Sequence, residues 1–166
     1  TAHTTASWDT ASARLELPPF EIIASGSAST TDSANDIAVD GDFAFIAADA
    51  AGLQVMDIAD ATNPVPVGSI DTPGRAHGVA VSGNHALVAD NTSGLQIIDI
   101  TNPAIPASEG SYNTPGKALD VAVDGDHAFV ADGTSGLQVI DISDPTSPAF
   151  AGAYDTPDEA QGIVMH

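Results

Sequence analysis

The feature that most constrains this chain is a seven-residue segment that occurs three times at a constant spacing. It begins at Gly52, Gly94 and Gly136 and reads GLQVMDI, GLQIIDI and GLQVIDI, with steps of 42 residues and no insertion. Two four-fold series keep the same register: Gly26, Gly68, Gly110 and Gly152, and Thr30, Thr72, Thr114 and Thr156. A gap-free period of this length indicates a repeat architecture, in which each unit buries its apolar face against its neighbours.

Within a unit, the apolar pattern predicts four short strands, which we label a to d. Two apolar stretches in residues 37–47 flank Gly41, as expected for strands a and b joined by a hairpin turn. The GLQ segment is strand c, and a fourth strand, d, follows a proline-rich corner at residues 63–66. Prolines so close to strand d suit an outer edge, where a missing N–H leaves no partner unpaired. Four strands in about 40 residues predict the blade of a β-propeller, and no sustained 3.6-residue period supports a helical solenoid.

The repeat also resembles a known family. Residues 71–81, Val88–Asp90 and the segment from Gly94 to Ile100 look like the LVIVD repeat. This resemblance covers about residues 20–166 and implies a β-propeller fold and a place among exported and surface proteins of bacteria and archaea. It carries over no catalytic residues, because the repeat motif is structural.

The register predicts how the array begins and ends. Complete units lie near residues 27–68, 69–110 and 111–152, and a partial unit occupies 153–166. Residues 20–27 align with a strand d and residues 161–166 with a strand a. An all-β propeller of three four-stranded blades with these flanking strands would expose backbone edges, which natural proteins avoid. We therefore expect either a portion of a larger propeller or edges that pair with a second copy or another protein.

Residues 1–19 do not match the repeat. They are rich in Thr, Ala and Ser and contain the only tryptophan, Trp8. Such a composition predicts a linker that is partly disordered. The alternative is an arm in which Trp8 docks on a neighbouring subunit.

The charge restricts the partners of this chain. It carries 23 acidic residues against three basic ones, a formal net charge of −20. This charge disfavours nucleic acid and anionic membrane surfaces, and no apolar run is long enough to span a membrane. The small-residue amino terminus is compatible with signal-peptide removal. With the family resemblance, it gives an expected location that is extracellular or at the cell surface.

No catalytic motif is present: the chain has no nucleophile elbow and no strong zinc spacing. His85 and His127 share a repeat position with Phe43, so a packing role is favoured over acid–base chemistry. Asp57, Asp99 and Asp141 recur in strand c, and repetition predicts that they bond the backbone of a turn rather than catalyse.

Calcium is a weaker prediction. Asp40, Asp42, Asp124 and Asp126 flank glycines, and oxygen-rich loops follow at Asp90 and Asp132. Calcium prefers six to eight oxygen ligands. Asp-Gly is, however, also an ordinary hairpin turn, and that interpretation is favoured.

The best candidates for binding a partner are Arg75 and Lys117, which share one position in the loop between strand d and the next strand a. They are able to receive an acidic partner or to form local ion pairs with nearby Asp, and the second is favoured.

The function expected from these features is that of a non-enzymatic scaffold that binds protein and self-associates through open β edges and the amino-terminal arm. Two alternatives stay open. One is a ligand-binding or enzymatic propeller whose site at the axial mouth is completed by sequence not present here. The other is a calcium-stabilised adhesion module.

Overall fold

The structure is a computed structural model of the 166-residue chain. It describes residues 27–165 and, for their backbone alone, two short strands, β1 (Ser7–Asp9) and β2 (Arg14–Glu16). β1 and β2 pair with each other in antiparallel orientation. The strand d predicted at 20–27 lies, apart from Ser27, outside the described residues, and so does most of the predicted linker.

Twelve further strands form three antiparallel sheets of four strands, one for each unit of the repeat. Blade 1 contains β3 (Asp36–Asp40), β4 (Phe43–Ala47), β5 (Leu53–Asp57) and β6 (Val65–Ile70). Blade 2 contains β7 (Gly78–Ser82), β8 (His85–Ala89), β9 (Leu95–Asp99) and β10 (Ala107–Tyr112). Blade 3 contains β11 (Asp120–Asp124), β12 (His127–Ala131), β13 (Leu137–Asp141) and β14 (Ala149–Tyr154). The order of strands in each sheet is their order in the chain, so every blade is a meander, as predicted.

No helix occurs among the described residues, and hence this part of the chain has no helix that could cross a membrane.

Two glycine positions explain why the repeat is so regular. Gly41 sits in the turn between β3 and β4 with φ of +55°, a conformation that glycine adopts without strain. Gly52, which opens the GLQ segment, has φ of +69°, and a Cβ placed there would lie 2.4 Å from the carbonyl oxygen of Ile70. The start of strand c therefore approaches the end of strand d too closely for any side chain.

The fourth strand of each blade is an outer edge, as the prolines predicted. Pro66 lies within β6, which pairs with β5 and with no other described strand. The register shifts by one residue between Val55 and Met56. Equivalent shifts occur in the other two blades. Such bulges strengthen the twist of an edge strand.

The hydrophobic core lies between the blades. We call the side of a blade that is turned toward the preceding blade its front face, and the opposite side its rear face. Between blades 1 and 2, Phe45, Leu53 and Val55 of the rear face pack with Val79 and Ile98 of the front face. The corresponding residues of blades 2 and 3 form a second cluster. Each fully buried aliphatic or aromatic side chain contributes roughly 1.5–3 kcal/mol, so neighbouring blades stabilise each other.

Backbone hydrogen bonds also join the blades. The turn between strands b and c of one blade pairs with the connection that leads into the next blade. In this way Asp49 exchanges two hydrogen bonds with Ala76, with N···O distances of 3.2 and 3.0 Å. Equivalent bridges link Asn91 with Ala118 and Gly133 with Ala160. Closer to the innermost strands, an Oδ2 oxygen of Asp36 accepts a hydrogen bond from the backbone N–H of Val79 at 2.8 Å.

The carboxyl-terminal segment continues this pattern beyond blade 3. The Gly133–Ala160 bridge joins the start of this segment to blade 3, and Asp120 Oδ2 accepts a hydrogen bond from the N–H of Ile163 at 2.8 Å. Residues 160–165 therefore occupy the place of a strand a, as predicted. They form no ladder, since no strand b lies beside them in the part of the chain that the structure describes. The fold is thus that of an incomplete propeller.

Candidate interaction surfaces

The connections between blades bring the two predicted partner-binding cations close together. Arg75 and Lys117 lie in equivalent connections, next to the turn that joins strands b and c of the blade before each. Together with Gly74, Asn91 and Thr92 they line one shallow groove. The repeat position that they share therefore places both on one face of the array.

Arg75 is engaged in a local ion pair. Its Nη1 lies 3.0 Å from Oδ2 of Asp49, and the two side chains are 64% and 19% exposed. A pair this exposed stabilises a protein by at most about 1 kcal/mol. The favoured prediction for this residue, an ion pair with a nearby Asp, is confirmed.

Lys117 differs from Arg75 in its neighbour. The residue that corresponds to Asp49 is Asn91, whose amide nitrogen lies 3.0 Å from Nε2 of His77. Lys117 is exposed and forms no ion pair with the described residues. It lines a second groove with His77, Thr134 and Glu159. Of the two cations, Lys117 is the one whose charge is not already paired in the described part of the chain.

Asp90 and Asp132 accept hydrogen bonds from the connections between blades, a structural role that the sequence analysis did not predict. Both are fully buried. Asp90 accepts a hydrogen bond from the Thr72 hydroxyl at 2.7 Å and from the Gly74 N–H at 2.8 Å. The same contacts recur one unit later among Asp132, Thr114 and Gly116. Burial raises the pKa of both carboxyls, and these hydrogen bonds oppose the rise.

This contact could have been predicted from the sequence, because two positions of the repeat change residue type together from one unit to another. Where an Asp follows strand b, as at Asp90, the connection contains glycine at the position of Gly74, because a Cβ there would lie 2.3 Å from the carbonyl oxygen of Asp90. In the first unit, Ala48 replaces the Asp and Asp32 replaces the glycine. Thr30 then donates its hydroxyl proton to the backbone oxygen of Asp32 at 2.5 Å instead.

The four calcium candidates lie on the turns between strands a and b. Asp40 and Asp42 flank Gly41 in the first blade, and Asp124 and Asp126 flank Gly125 in the third; all four are exposed. No group of three or more His, Cys, Asp or Glu side chains that could hold a metal ion occurs within the described residues. The hydrogen bonds of Asp90 and Asp132 already occupy the oxygen-rich loops that were the other candidates.

The repeated aspartates of strand c have the structural role predicted for them. Asp57, Asp99 and Asp141 each accept a hydrogen bond from the backbone N–H two residues later, at 2.8–2.9 Å. Hydrogen bonds from Thr101 lower the pKa of Asp99, and those from Ser143 lower the pKa of Asp141. These carboxylates stabilise a turn.

The shared histidine position has two different environments. His127 is exposed. The side chain of His85 is 31% exposed, and its Nε2 lies 2.8 Å from Oε2 of Glu109 on the outer strand of the same blade. That oxygen is buried and has no partner among the described residues apart from this contact with His85. Glu109 has no acidic counterpart in the other units, so the contact is particular to blade 2. Trp8, the third candidate for partner binding, lies in β1, and its side chain is outside the described residues.

The largest departure from repeat symmetry is at the two ends of the array. The front face of blade 1 exposes Ile37 and Val39, with 56% and 61% of their surface accessible. The rear face of blade 3 exposes Tyr154, at 65%. Each of these residues has counterparts that lie between blades in the interior. At the first end this exposure is confined to the innermost strand, because Ala44, Ile46 and Met56 on the same face of blade 1 are buried.

These features define a repeat protein of the β-propeller class, with three blades in tandem among the described residues. The model of the LVIVD repeat matches the chain three times, at residues 32–72, 73–114 and 115–156. The chain belongs to the LVIVD repeat family, which confirms the resemblance seen in the sequence. No curated protein matches it.

Two solved structures share the fold at low sequence identity. One is a functionally unknown protein from Desulfotomaculum acetoxidans, which is 18% identical with a TM-score of 0.69; the match covers 84% of this chain and 47% of that one. The other is the computationally designed Ika8 protein, 10% identical with a TM-score of 0.63, with 92% of this chain and 44% of that one covered. This chain thus spans less than half the length of either structure.

Proposed function

We propose that this protein is a non-enzymatic interaction scaffold, exported to the cell surface or to an extracellular assembly, which associates with other protein through the open ends of its blade array. The observation that carries the proposal is the set of apolar side chains at the two ends of the array, where Ile37, Val39 and Tyr154 are more than half exposed. Apolar surface that a protein leaves open in this way commonly marks an interface.

The regularity of the loops favours a scaffold over an enzyme. The units follow each other at 42 residues without an insertion, whereas a ligand or active site in a propeller draws on loops that differ between blades. The recurrent carboxylates have structural partners. Asp90 and Asp132 accept hydrogen bonds from the connections between blades, and Asp99 stabilises a turn. The proposed location follows from the resemblance to exported LVIVD-repeat proteins.

The mass of the full chain in solution tests the association. Multi-angle light scattering over a wide range of concentration is expected to give a mass above the 16.6 kDa of one chain. A mass of one chain at every concentration would contradict the proposal.

The location has a separate test. Treatment of intact source cells with a protease is expected to release peptides of this chain, while a cytoplasmic control protein stays intact. Peptides that appear only after the cells are broken would contradict export.

The calcium-stabilised module makes a different prediction, because a ligand that binds only the folded state raises the melting temperature. A scaffold without bound calcium is expected to melt at the same temperature with calcium and with a chelator. A rise in calcium that disappears in Asp124→Asn would favour the adhesion module.

A further inference from the structure

We propose that the groove between Arg75 and Lys117 is an anion-binding site, which takes a carboxylate or another oxyanion. We call it the first groove, and the groove that Lys117 lines with Glu159 the second groove. Both are formed by the connections between blades and by the turns that join strands b and c. The inference therefore does not rest on the proposed association through the open ends of the array. It follows from a comparison of one groove in successive units.

The lining of the first groove is rich in hydrogen-bond donors. Its residues are Gly74, Arg75, Asn91, Thr92 and Lys117, and none of them carries a carboxylate. Every side chain among them can donate a hydrogen bond, and two are permanently charged. The whole chain has 23 acidic residues and only three basic ones, yet two of those three lie together here. Such a lining suits an anion and offers no acidic ligand to a cation.

The second groove is the same place one unit later. The five equivalent positions all line it, and they are Gly116, Lys117, Gly133, Thr134 and Glu159. Here a carboxylate occupies the position that Lys117 has in the first groove. The second groove therefore has one cation and one anion on its two sides, and their charges offset each other.

One unit before the first groove, the balance is more acidic still. The equivalent positions are occupied by Asp32, Ser33, Asp49, Ala50 and Arg75. Of the three sets of positions, only the first groove has a cation on both sides and no carboxylate. The repeat thus provides two internal comparisons with the same backbone and different charges.

Arg75 can bind a ligand without giving up its ion pair. Only its Nη1 contacts Asp49, at 3.0 Å from Oδ2 and 3.4 Å from Oδ1. The planar guanidinium has further N–H groups, so Asp49 orients the group and leaves donors for another acceptor. Lys117 forms no ion pair within the described residues. An oxyanion between the two would accept charge-assisted hydrogen bonds from both.

The backbone of the first groove is held in place before a ligand binds. The N–H of Gly74 donates a hydrogen bond to Oδ2 of Asp90 at 2.8 Å, which fixes the connection that carries Arg75. Asn91 exchanges two hydrogen bonds with Ala118, each with an N···O distance of 3.0 Å, next to Lys117. A site that is ordered in advance loses less conformational entropy on binding.

The negative charge of the chain limits the affinity of this site. At physiological ionic strength, exposed charges more than about 8 Å apart are largely screened, so nearby groups matter most. Asp49 is paired with Arg75. Asp90 is fully buried, and its two oxygens accept hydrogen bonds from Thr72 and Gly74. We therefore expect a weak, saturable site whose affinity falls as the salt concentration rises.

An NMR titration of the backbone amides of the full chain tests the proposal. Sodium sulfate is the probe, and sodium chloride at the same ionic strength is the reference. We expect sulfate to shift the signals of Gly74, Asn91 and Thr92 until they saturate. The signals of Gly133 and Thr134 in the second groove should shift clearly less, because Glu159 is beside them.

Two variants with the same change in net charge separate the groove from the charge of the whole chain. Lys117→Ala is expected to weaken sulfate binding roughly tenfold, as for the loss of a hydrogen bond to a charged group. Ile105→Glu is the matched control, because Ile105 is 70% exposed and lines neither groove. It should bind sulfate as the native chain does.

Glu159→Lys transfers the two-cation arrangement to the second groove. Glu159 is exposed, so this variant is expected to keep the fold. Sulfate should then shift the signals of Gly133 and Thr134 in a saturable way. Unchanged signals there would contradict the claim that cations on both sides make the site.

A free anion and an acidic side chain are two sources of the same chemistry. An acetylated glutamate tripeptide, titrated in the same way, distinguishes them. Tighter binding of the tripeptide than of sulfate at the first groove would assign the site to an acidic segment of a partner. Tighter binding of sulfate would assign it to a free anion.

Two results would overturn the inference. One is an equal response of all signals to sulfate and to chloride. The other is an equal loss of sulfate affinity in Lys117→Ala and Ile105→Glu, since binding would then follow the total charge and not the groove. Neither result changes the association of the chain, which light scattering measures separately.

Discussion

Val121 and Ile37 occupy the same place in the repeat, yet Val121 is 4% exposed and Ile37 is 56% exposed. Both lie in the innermost strand of a blade, in the same register with the neighbouring strand. What differs is the surrounding structure: blade 2 covers Val121, and no described residue covers Ile37 in the same way. The comparison shows that a blade of this protein obtains much of its stability from the blade beside it, as expected for a repeat protein. An end blade is therefore the weaker part of the array until something covers it.

A charged side chain at this repeat position is expected to give the largest difference in stability between an interior blade and an end blade. Val79→Asp buries a carboxylate without a partner and should lower the free energy of unfolding by at least about 3 kcal/mol. Ile37→Asp should change it by no more than about 0.5 kcal/mol in dilute solution, because the side chain remains in water. Urea denaturation of both variants at low protein concentration measures the contrast. Equal losses would show that the front face of blade 1 is covered within one chain.

Phe45 and Phe129 occupy equivalent positions on the rear faces of blades 1 and 3, so removal of each phenyl ring compares the packing of the two faces. Phe45→Ala leaves a cavity between blades 1 and 2 and should cost about 3–5 kcal/mol. Phe129→Ala, at the half-buried equivalent in blade 3, should cost clearly less in dilute solution. If a second copy covers the rear face, the cost of Phe129→Ala increases with protein concentration while that of Phe45→Ala does not. Urea midpoints at two concentrations decide this, and a cost for Phe129→Ala that is constant with concentration would contradict coverage.

The buried aspartates should contribute less than the core but more than any surface carboxylate. Asp90→Ala leaves the Thr72 hydroxyl and the Gly74 N–H without their acceptor, and unsatisfied buried donors of this kind cost about 1–3 kcal/mol. Asp124→Ala, on an exposed turn, is the control and should lie within about 0.5 kcal/mol of the native chain. Thermal unfolding by calorimetry provides the comparison. A loss of stability no larger than that of Asp124→Ala would mean that the hydrogen bonds of Asp90 do not stabilise the connection between blades 1 and 2.

The same two classes of carboxylate should respond to acid in opposite directions. The pKa of Asp90 and Asp132 is raised above 3.8, so the folded protein takes up these protons before the unfolded chain does. Their contribution to stability therefore increases as the pH falls through the folded pKa and is complete below 3.8. The pKa of Asp99 and Asp141 is lowered, so their contribution is present above 3.8 and is lost as the pH falls through the folded pKa.

A carbon-13 NMR titration of the side-chain carboxyls measures this order directly. We expect the signals of Asp90 and Asp132 to titrate at higher pH than those of Asp99 and Asp141. A single common midpoint for all four would contradict the different environments that the structure gives them.

The smallest expected effect concerns the two cations. Arg75→Ala removes the ion pair with Asp49 and should cost no more than about 1 kcal/mol, less at high salt. Lys117→Ala has no such pair to remove among the described residues and should leave the stability unchanged. Thermal unfolding at low and high salt checks both, and a salt-dependent loss in Lys117→Ala would reveal a partner for this residue.

The sequence was sufficient for the blades because their requirements are local. Gly41 and Gly52 are fixed by the backbone of single turns, and the alternation of apolar residues marks each strand. The contacts of the candidate binding residues were harder to predict from the sequence. That Arg75 and Lys117 share one face followed from their common repeat position. An ion pair of Arg75 with a nearby Asp was also predicted, but its identity as Asp49 was not, because the two residues belong to different blades. The contact of His85 with Glu109 occurs in one unit only, so no repetition indicated it.

The most direct test of the difference between interior and end is hydroxyl-radical footprinting of the native chain, read residue by residue by mass spectrometry. Ile37 and Tyr154 should be protected at high protein concentration and become labelled on dilution, while Ile105 is labelled at both. This result would show that the end faces become junctions when copies meet. Labelling of Ile37 and Tyr154 to the same extent at every concentration would contradict it, and the array would then be a protein with two permanently open ends.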